Sequence, residues 1–285
     1  MEARDDDMYK TINETTTTIG QSTATVLAYS ENPETKTHLI TWELTYPRYI
    51  HSEVMTHRQF SRNASSSRAT PVKTLIDEVI SHPVYFDEIR LNRRGMVGGD
   101  LASPEVEGRF RDLWDLSASF SARIAKLMND LGVAKQTINR ILEPYLPIRT
   151  IVTATDVENF FRLRLAPDAQ PEIQSLAKAM KAAMNKTEPK VTRLHLPYGN
   201  SLNEFLEERQ ICRCIAACAR VSILRGDGKQ TSRADDVVFA LRLKTNGHMT
   251  PFEHIARADS GRFANFTDWR SVRWDIEHNK AEPKK

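Results

Sequence analysis

The sequence predicts a single α/β (α+β) domain in which a mixed sheet is surrounded by helices. Three observations predict it. Residues 23–30 and 37–45 are rich in β-branched and aromatic side chains and are separated by Asn32-Pro33, a turn pair. Three longer stretches, 104–131, 171–185 and 203–221, carry apolar residues at three- and four-residue spacing, the mark of amphipathic helices. The chain has 285 residues, 40% of them hydrophobic and 27% charged, which suits a soluble globular protein able to bury a sizeable core.

In chain order, residues 1–22 are rich in Thr, Asp and Glu without periodicity and read as a loose arm, leaving 23–285 as one domain. Two strands follow, the second ending at Pro47, and residues 50–55 begin a helix. Residues 71–81 form a short helix with Val72, Leu75, Ile76 and Val79 on one side. Residues about 84–133 read as a helical insertion. It opens on a flexible connection containing Gly95, Gly98 and Gly99, whose spacing is not that of a dinucleotide-binding fingerprint. Ser103-Pro104 is an N-cap followed by proline at the first helical position. The helix behind it presents Phe110, Leu113, Trp114, Phe120, Ile124, Leu127 and Met128 as its apolar residues, and Gly132 stops it. A helix over 135–142, a strand over 148–152 and a helix opened by Pro171 come next. Ser201-Leu202-Asn203-Glu204 and Thr250-Pro251-Phe252-Glu253 have the capping-box pattern. The tail, with Phe266, Trp269 and Trp274, reads as an amphipathic helix.

Composition also excludes. A net charge of +3 is far from the basic excess of a histone-like nucleic-acid binder. No apolar run approaches the ~20 residues of a membrane helix. The polar, acidic start is unlike a secretory signal, so a cytoplasmic location is expected. Cys212, Cys214 and Cys218 lie in a helical stretch beside Ile211 and Ile215. They read as buried reduced thiols rather than as a metal site or disulfide framework.

The most distinctive stretch is 56–68. It holds three guanidinium groups, one imidazole, two carboxamides and five hydroxyls, and no acid. Arginine forks grip phosphates in pairs, while Ser and Asn let the backbone turn its N–H groups toward an anion. The stretch therefore reads as a phosphate-binding loop, for a nucleotide or a nucleic-acid backbone, or else as a solvated basic loop.

Several segments together resemble the flavin-dependent thymidylate synthases. His57, Arg58, Ser61, Asn63, Ser66 and Arg68 fall at the spacing of that family's R-H-R-x-x-S-x-N-x-x-S-x-R. His248-Met249-Thr250-Pro251-Phe252-Glu253-His254 is similar to its H-x-[ST]-P-F-E-H. Asn159-Phe160-Phe161-Arg162-Leu163-Arg164 and the following Ala169-Gln170-Pro171-Glu172-Ile173 resemble N-F-x-x-L-R…A-Q-x-E-I. Arg140-Ile141-Leu142-Glu143-Pro144 is similar to R-x-x-L-P, and Ala219-Arg220-Val221-Ser222 to A-R-V-S. In the family the last motif and P-F-E-H precede the basic loop, whereas here they follow it. The order looks circularly permuted, as in phage-type relatives, and residues 38–47 should meet the P-F-E-H region in space.

The resemblance implies transfer of a one-carbon unit from methylenetetrahydrofolate to C5 of dUMP, completed by hydride from reduced FAD, with NADPH re-reducing the flavin. It implies no nucleophilic enzyme cysteine. It makes Arg164 the activating arginine, able to stabilise ionised N3 of the uracil. It places Ser66, Ser67, Arg68, Arg140, Arg164 and Glu53 on the nucleotide. It places His57, Arg58, Gln59, Asn63, Asn159, Thr250, His248 and Glu253 on the flavin. A homo-oligomer is implied, a tetramer with sites shared between subunits, with neither membrane nor nucleic acid as partner.

The chain departs from the pattern in places. Thr56 replaces the first arginine of the loop, Glu53 a glutamine, Ala64 a glutamate and Ala69 a tyrosine. Thr153-Ala154-Thr155 replaces an Asn-x-Arg that touches flavin. Arg62 can compensate for one missing arginine. A glutamate at a pyrimidine edge can accept from the exocyclic amine of cytosine. A flavin-dependent methylase or hydroxymethylase of dCMP or dUMP is therefore the competing enzyme reading, although Arg164 favours uracil. A nucleic-acid-binding module is the reading from another class. It would use the basic loop with Phe263, Phe266, Trp269, Arg270, Arg273 and Trp274.

Overall fold

The computed structural model describes residues 15–95, 98–199, 206–221 and 233–278. The first elements are β1 (Thr15–Ile19), β2 (Ser22–Glu31) and β3 (His38–Pro47), followed by α1 (His51–Met55), β4 (Ser61–Ala64), α2 (Val72–Ser81) and α3 (Pro104–Asp130). Next come α4 (Lys135–Ile138), β5 (Pro147–Ala154), α5 (Glu158–Arg164), α6 (Pro171–Asn185), β6 (Lys190–Val191) and β7 (Leu194–His195). The last elements are α7 (Glu207–Arg220), α8 (Arg233–Thr245), β8 (Ala256–Phe263), β9 (Phe266–Ser271) and α9 (Val272–His278). The main sheet runs β1-β2-β3-β5-β4, with β6 added parallel to β2 and the other pairs antiparallel. Another antiparallel sheet runs β7-β8-β9.

The main sheet is buried on both faces. One face carries Ile40, Trp42, Leu44 and Tyr46 of β3 against Ile173, Leu176, Ala177 and Met180 of α6, the apolar face expected from the sequence. The other carries Leu27 and Ile151 against Ile211, Cys214, Ile215 and Cys218 of α7 and residues of α8. Each fully buried Ile, Leu or Met there contributes about 1.5–3 kcal/mol of transfer free energy. Asn32 builds the β2–β3 turn by accepting from the backbone N–H groups of Glu34 and Thr35, which lets Lys36 take φ +64°.

A third cluster joins α2 to α3 through Val72, Leu75 and Val79 against Ala118, Ala122 and Ala125, small residues that let the helices approach closely. The apolar residues of α3 divide between two faces. Trp114 and Met128 pack inward, while Leu113, Leu116, Phe120 and Leu127 are 66, 65, 62 and 59% exposed. Ser103 caps this helix by accepting from the N–H of Val106, and Gly132, at φ +76°, follows its end.

Several expectations change. Of the arm expected over 1–22, residues 1–14 lie outside the described residues, and the threonine run from Thr15 pairs with β2 as a strand. Residues 84–103 are not helical where described and carry an isolated bridge, Arg90 to Leu101. The helix expected over 135–142 is broken: α4 gives way to a 3-10 turn at Asn139–Ile141, where Asn139 turns inward to hydrogen-bond the loop beside it. Thr250–Glu253 is a 3-10 turn with no side-chain cap, because Glu253 pairs with Arg273 instead. The 201–204 capping box lies outside the described residues. The tail is a hairpin followed by a short helix. Phe266 and Trp269, three apart and so helix-like in spacing, are both buried in β9, where Asp268 between them takes the left-handed φ of +59°.

The hairpin that follows the P-F-E-H segment meets the start of β3. Leu39 packs with Ala256, Phe266 and Trp269, and Trp269 Nε1 donates to the carbonyl of Thr37 at 3.0 Å.

Candidate active site

The basic loop leaves α1, forms β4 at the sheet edge, and returns through a 3-10 turn at Ser67–Ala69. Four residues of strand span about 13 Å, so the two ends of the loop build two separate groups.

At the first end, Arg164, the last residue of α5, donates from Nε to His57 Nε2 at 2.9 Å and reaches the Thr56 hydroxyl at 3.4 Å. The His57 ring meets Phe160 edge-on, 4.8 Å between centroids. Burial, then the charges of Arg164 and Arg62, lower the His57 pKa to about 4. The imidazole is therefore neutral near pH 7, and its Nε2 is the acceptor that orients the guanidinium. Arg62 donates to the carbonyls of Met55 and His57 at 2.7 and 3.1 Å. It thus places a positive charge beside His57, as compensation requires, but spends two donors strapping the loop. Glu53 is half-buried on the same turn and accepts from Ser52 at 2.9 Å. Arg58 and Gln59 are exposed.

At the other end, Asn139, fully buried, donates to the carbonyls of Ser67 and Thr70 at 2.7 and 3.0 Å and fixes the turn. Ser67 is buried, Ser66 half-buried and Arg68 exposed. Arg140, next to Asn139, extends along the same edge and pairs with Glu143 at 2.9 Å.

The remaining expected residues divide. The Thr250–Glu253 turn packs against β4, which brings half-buried Thr250 and Glu253 alongside the loop. Asn63 does not face a ligand site with its amide free: it donates to the carbonyl of Cys218 at 2.8 Å and ties β4 to α7. Asn159 is exposed and accepts from Arg162 at 2.7 Å, and His248 is also exposed. Among the described residues no hydrogen bond or ion pair joins these two to the loop.

Thr153 has another role. It lies inside a buried polar chain in which Ser30 meets His195 Nδ1 at 2.8 Å, His195 Nε2 meets Thr41 at 2.7 Å, Thr41 meets Thr153 at 2.7 Å, and Thr153 meets His254 Nδ1 at 2.8 Å. Thr155 accepts from the backbone N–H of Thr267. The strand that carries a flavin contact in the resembling family is here bonded internally.

The model of the family described as thymidylate synthase complementing protein matches residues 7–190. The chain belongs to this family. The A-R-V-S and P-F-E-H segments lie beyond the matched residues. No curated protein matches the chain. Among solved structures, it is similar to PolB, a UMP/dUMP methylase from Streptomyces cacaoi, in two complexes. The one bound with 5-Br dUMP is 19% identical, covers 52% of this chain and 67% of that one, and has a TM-score of 0.41. The one bound with 5-Br UMP is 14% identical, covers 58% and 89%, and has a TM-score of 0.46.

In this member of the thymidylate synthase complementing family two of the tail's aromatic residues and two of its arginines are engaged within the chain. Phe266 and Trp269 are buried, Arg270 pairs with Asp259 and Asp275, and Arg273 pairs with Glu253 and Glu277. Among the described residues no helix is long and apolar enough to cross a membrane. Asn139 and Glu143 escape a reading of the sequence alone. For Asn139 the available signal is a polar residue flanked by Ile138 and Leu142. For Glu143 the signal is its place in the R-x-x-L-P segment, where the pattern carries leucine.

Proposed function

We propose that the chain transfers a one-carbon unit from methylenetetrahydrofolate to C5 of dUMP, giving dTMP, with FAD as the resident redox group and NADPH as its reductant. The observation that carries this reading is the contact of Arg164 with Thr56 and His57, 107 residues apart for the closer bond. It unites the N-F-x-x-L-R helix with the basic loop, two motifs whose chemistry needs both in one cavity.

The donor set fits a flavin dinucleotide and a nucleotide. Arg58, Arg68 and Arg164 form no salt bridge among the described residues, so the loop and α5 present positive charge of the kind phosphates neutralise. When bound, FAD supplies the hydride that completes the new C5 substituent. Arg58, Gln59, His57, Thr250 and Glu253 would hold it along the loop, and His248 and Asn159, which no bond joins to the loop, are assigned to it by the resemblance alone. Ser66, Ser67, Arg68 and Arg140 would take the nucleotide phosphate. Arg164, held by neutral His57, would stabilise negative charge at N3 of the pyrimidine, and such preorganised charge contributes most where water is excluded. Asn63 holds the strand in place. A thiol step has no support, because burial raises the pKa of Cys214 and Cys218 and both face the core.

Two features extend the reading. Val106, Leu113, Phe120 and Leu127 repeat every seven residues along the exposed face of α3, a seam suited to a partner copy, which favours the homo-oligomer. The A-R-V-S and P-F-E-H segments following the basic loop support a permuted chain order. Glu53, an acceptor on the turn that Arg164 docks against, favours the alternative reading, methylation or hydroxymethylation of dCMP. Mass spectrometry of products from dUMP and from dCMP, each with methylenetetrahydrofolate, FAD and NADPH, tests both. Thymidylate from dUMP is expected. Turnover of dCMP alone would replace the first reading with the alternative, and a protein that neither retains flavin nor turns over either nucleotide would refute both.

A further inference from the structure

Resting on the nucleotide reading above, we propose that Glu143 is a built-in competitor for the 5′-phosphate of the substrate. A single oxygen, Glu143 Oε1, accepts from the Ser67 hydroxyl at 2.5 Å and from Arg140 at 2.9 Å, and lies 3.6 Å from Arg48. These donors come from three segments, and convergence of a hydroxyl and two guanidiniums on one point is what a phosphate oxygen attracts. The position is built rather than incidental. Ser67 is 4% exposed and its carbonyl is held by buried Asn139, while the Arg48 and Glu143 side chains are 17 and 21% exposed. The opening is on the Arg140 side, where that side chain is 58% exposed.

The carboxylate fills this cluster from within the chain. Glu143 stands where the R-x-x-L-P pattern carries leucine, so the feature belongs to this sequence and not to the motif. A phosphate entering from solvent meets Arg140 first, then must displace the carboxylate from Ser67 and Arg140. The displaced charge stays nearby and repels the phosphate dianion. Glu143 thus keeps the donors ordered while no nucleotide is bound, and lowers the affinity for a monophosphate below what the donors alone would reach. No bond is made or broken in this exchange.

The test is titration of the full chain and of Glu143→Gln with dUMP, deoxyuridine and inorganic phosphate by calorimetry. Glutamine keeps an oxygen for Ser67 and removes the charge. The expected result is that Glu143→Gln binds dUMP about tenfold or more tightly than the parent chain, with no gain for deoxyuridine. Unchanged or weaker dUMP binding overturns the proposal, as does an equal gain for deoxyuridine. If neither protein binds dUMP or deoxyuridine while the variant binds inorganic phosphate more tightly, the role of Glu143 stands and the nucleotide reading falls. Should Glu143→Gln lose its circular dichroism melt, Glu143→Leu is titrated by the same criteria.

Discussion

Lowering the pH from 7 to 5 should destabilise this fold by about 4 kcal/mol through two imidazoles. His195 and His254 are fully buried and bonded to hydroxyls of Ser30, Thr41 and Thr153. Burial lowers both pKa values from 6.5 to about 3, and His254 further opposes a proton on His195. The folded value lies below the unfolded one, so the contribution is complete above about pH 6.5 and is lost as the pH falls toward 3. Each histidine then loses about 1.4 kcal/mol per pH unit, because the unfolded chain binds a proton the folded chain refuses. Set against a total of roughly 5–15 kcal/mol, the loss is large. His57 acts with the same sign but is partly solvated, so its share is smaller. Urea unfolding at pH 7, 6 and 5, followed by the fluorescence of buried Trp42 and Trp269, measures it. His254→Asn, whose amide can still meet Thr153, should remove about half of the slope. A parent chain whose stability changes by less than ~1 kcal/mol over this range would refute the reasoning, as would an unchanged slope in the variant.

Thr153→Val should cost about 1–3 kcal/mol, because it leaves Thr41 and His254 short of a partner inside the core. A calorimetric melting temperature equal to the parent's would show that the hydroxyl contributes nothing, while Thr153→Ser should retain most of the stability. Arg164→Ala should abolish product formation while leaving flavin bound, and should raise the His57 pKa from about 4 toward its ordinary value. Near-normal turnover, or an unmoved His57 resonance in an NMR titration, would sink the assigned role. Leu113→Glu with Phe120→Glu places charge in the exposed α3 seam and should lower the molar mass measured by light scattering. An unchanged mass would remove α3 from the interface.

Much of the architecture was legible because strand and helix periodicities are local. The runs that became β2, β3 and β5, and the apolar face of α6, follow directly from side-chain alternation and 3.6-residue spacing. The errors have identifiable causes. Asp268 at positive φ gave β9 a helical spacing, and the two faces of α3 read as one because an exposed stripe and a buried one share the same period. Within the site, Arg164 bonds His57 at one end of the loop, and Arg140 meets Ser67 through Glu143 at the other. Asn63 and Thr153 were harder, since a polar side chain's partner can lie anywhere in the chain.

The amino-acid order by itself determined the family, the acid-free loop and the residue types able to hold phosphate. These are properties of neighbouring residues and survive any rearrangement of the segments. Tertiary structure alone decided that His57 is neutral, that Thr153 is buried against His254, and that Glu143 sits among Ser67, Arg140 and Arg48. Each depends on burial and on charges brought together from distant parts of the chain, and neither burial nor long-range proximity is carried by any short stretch of sequence.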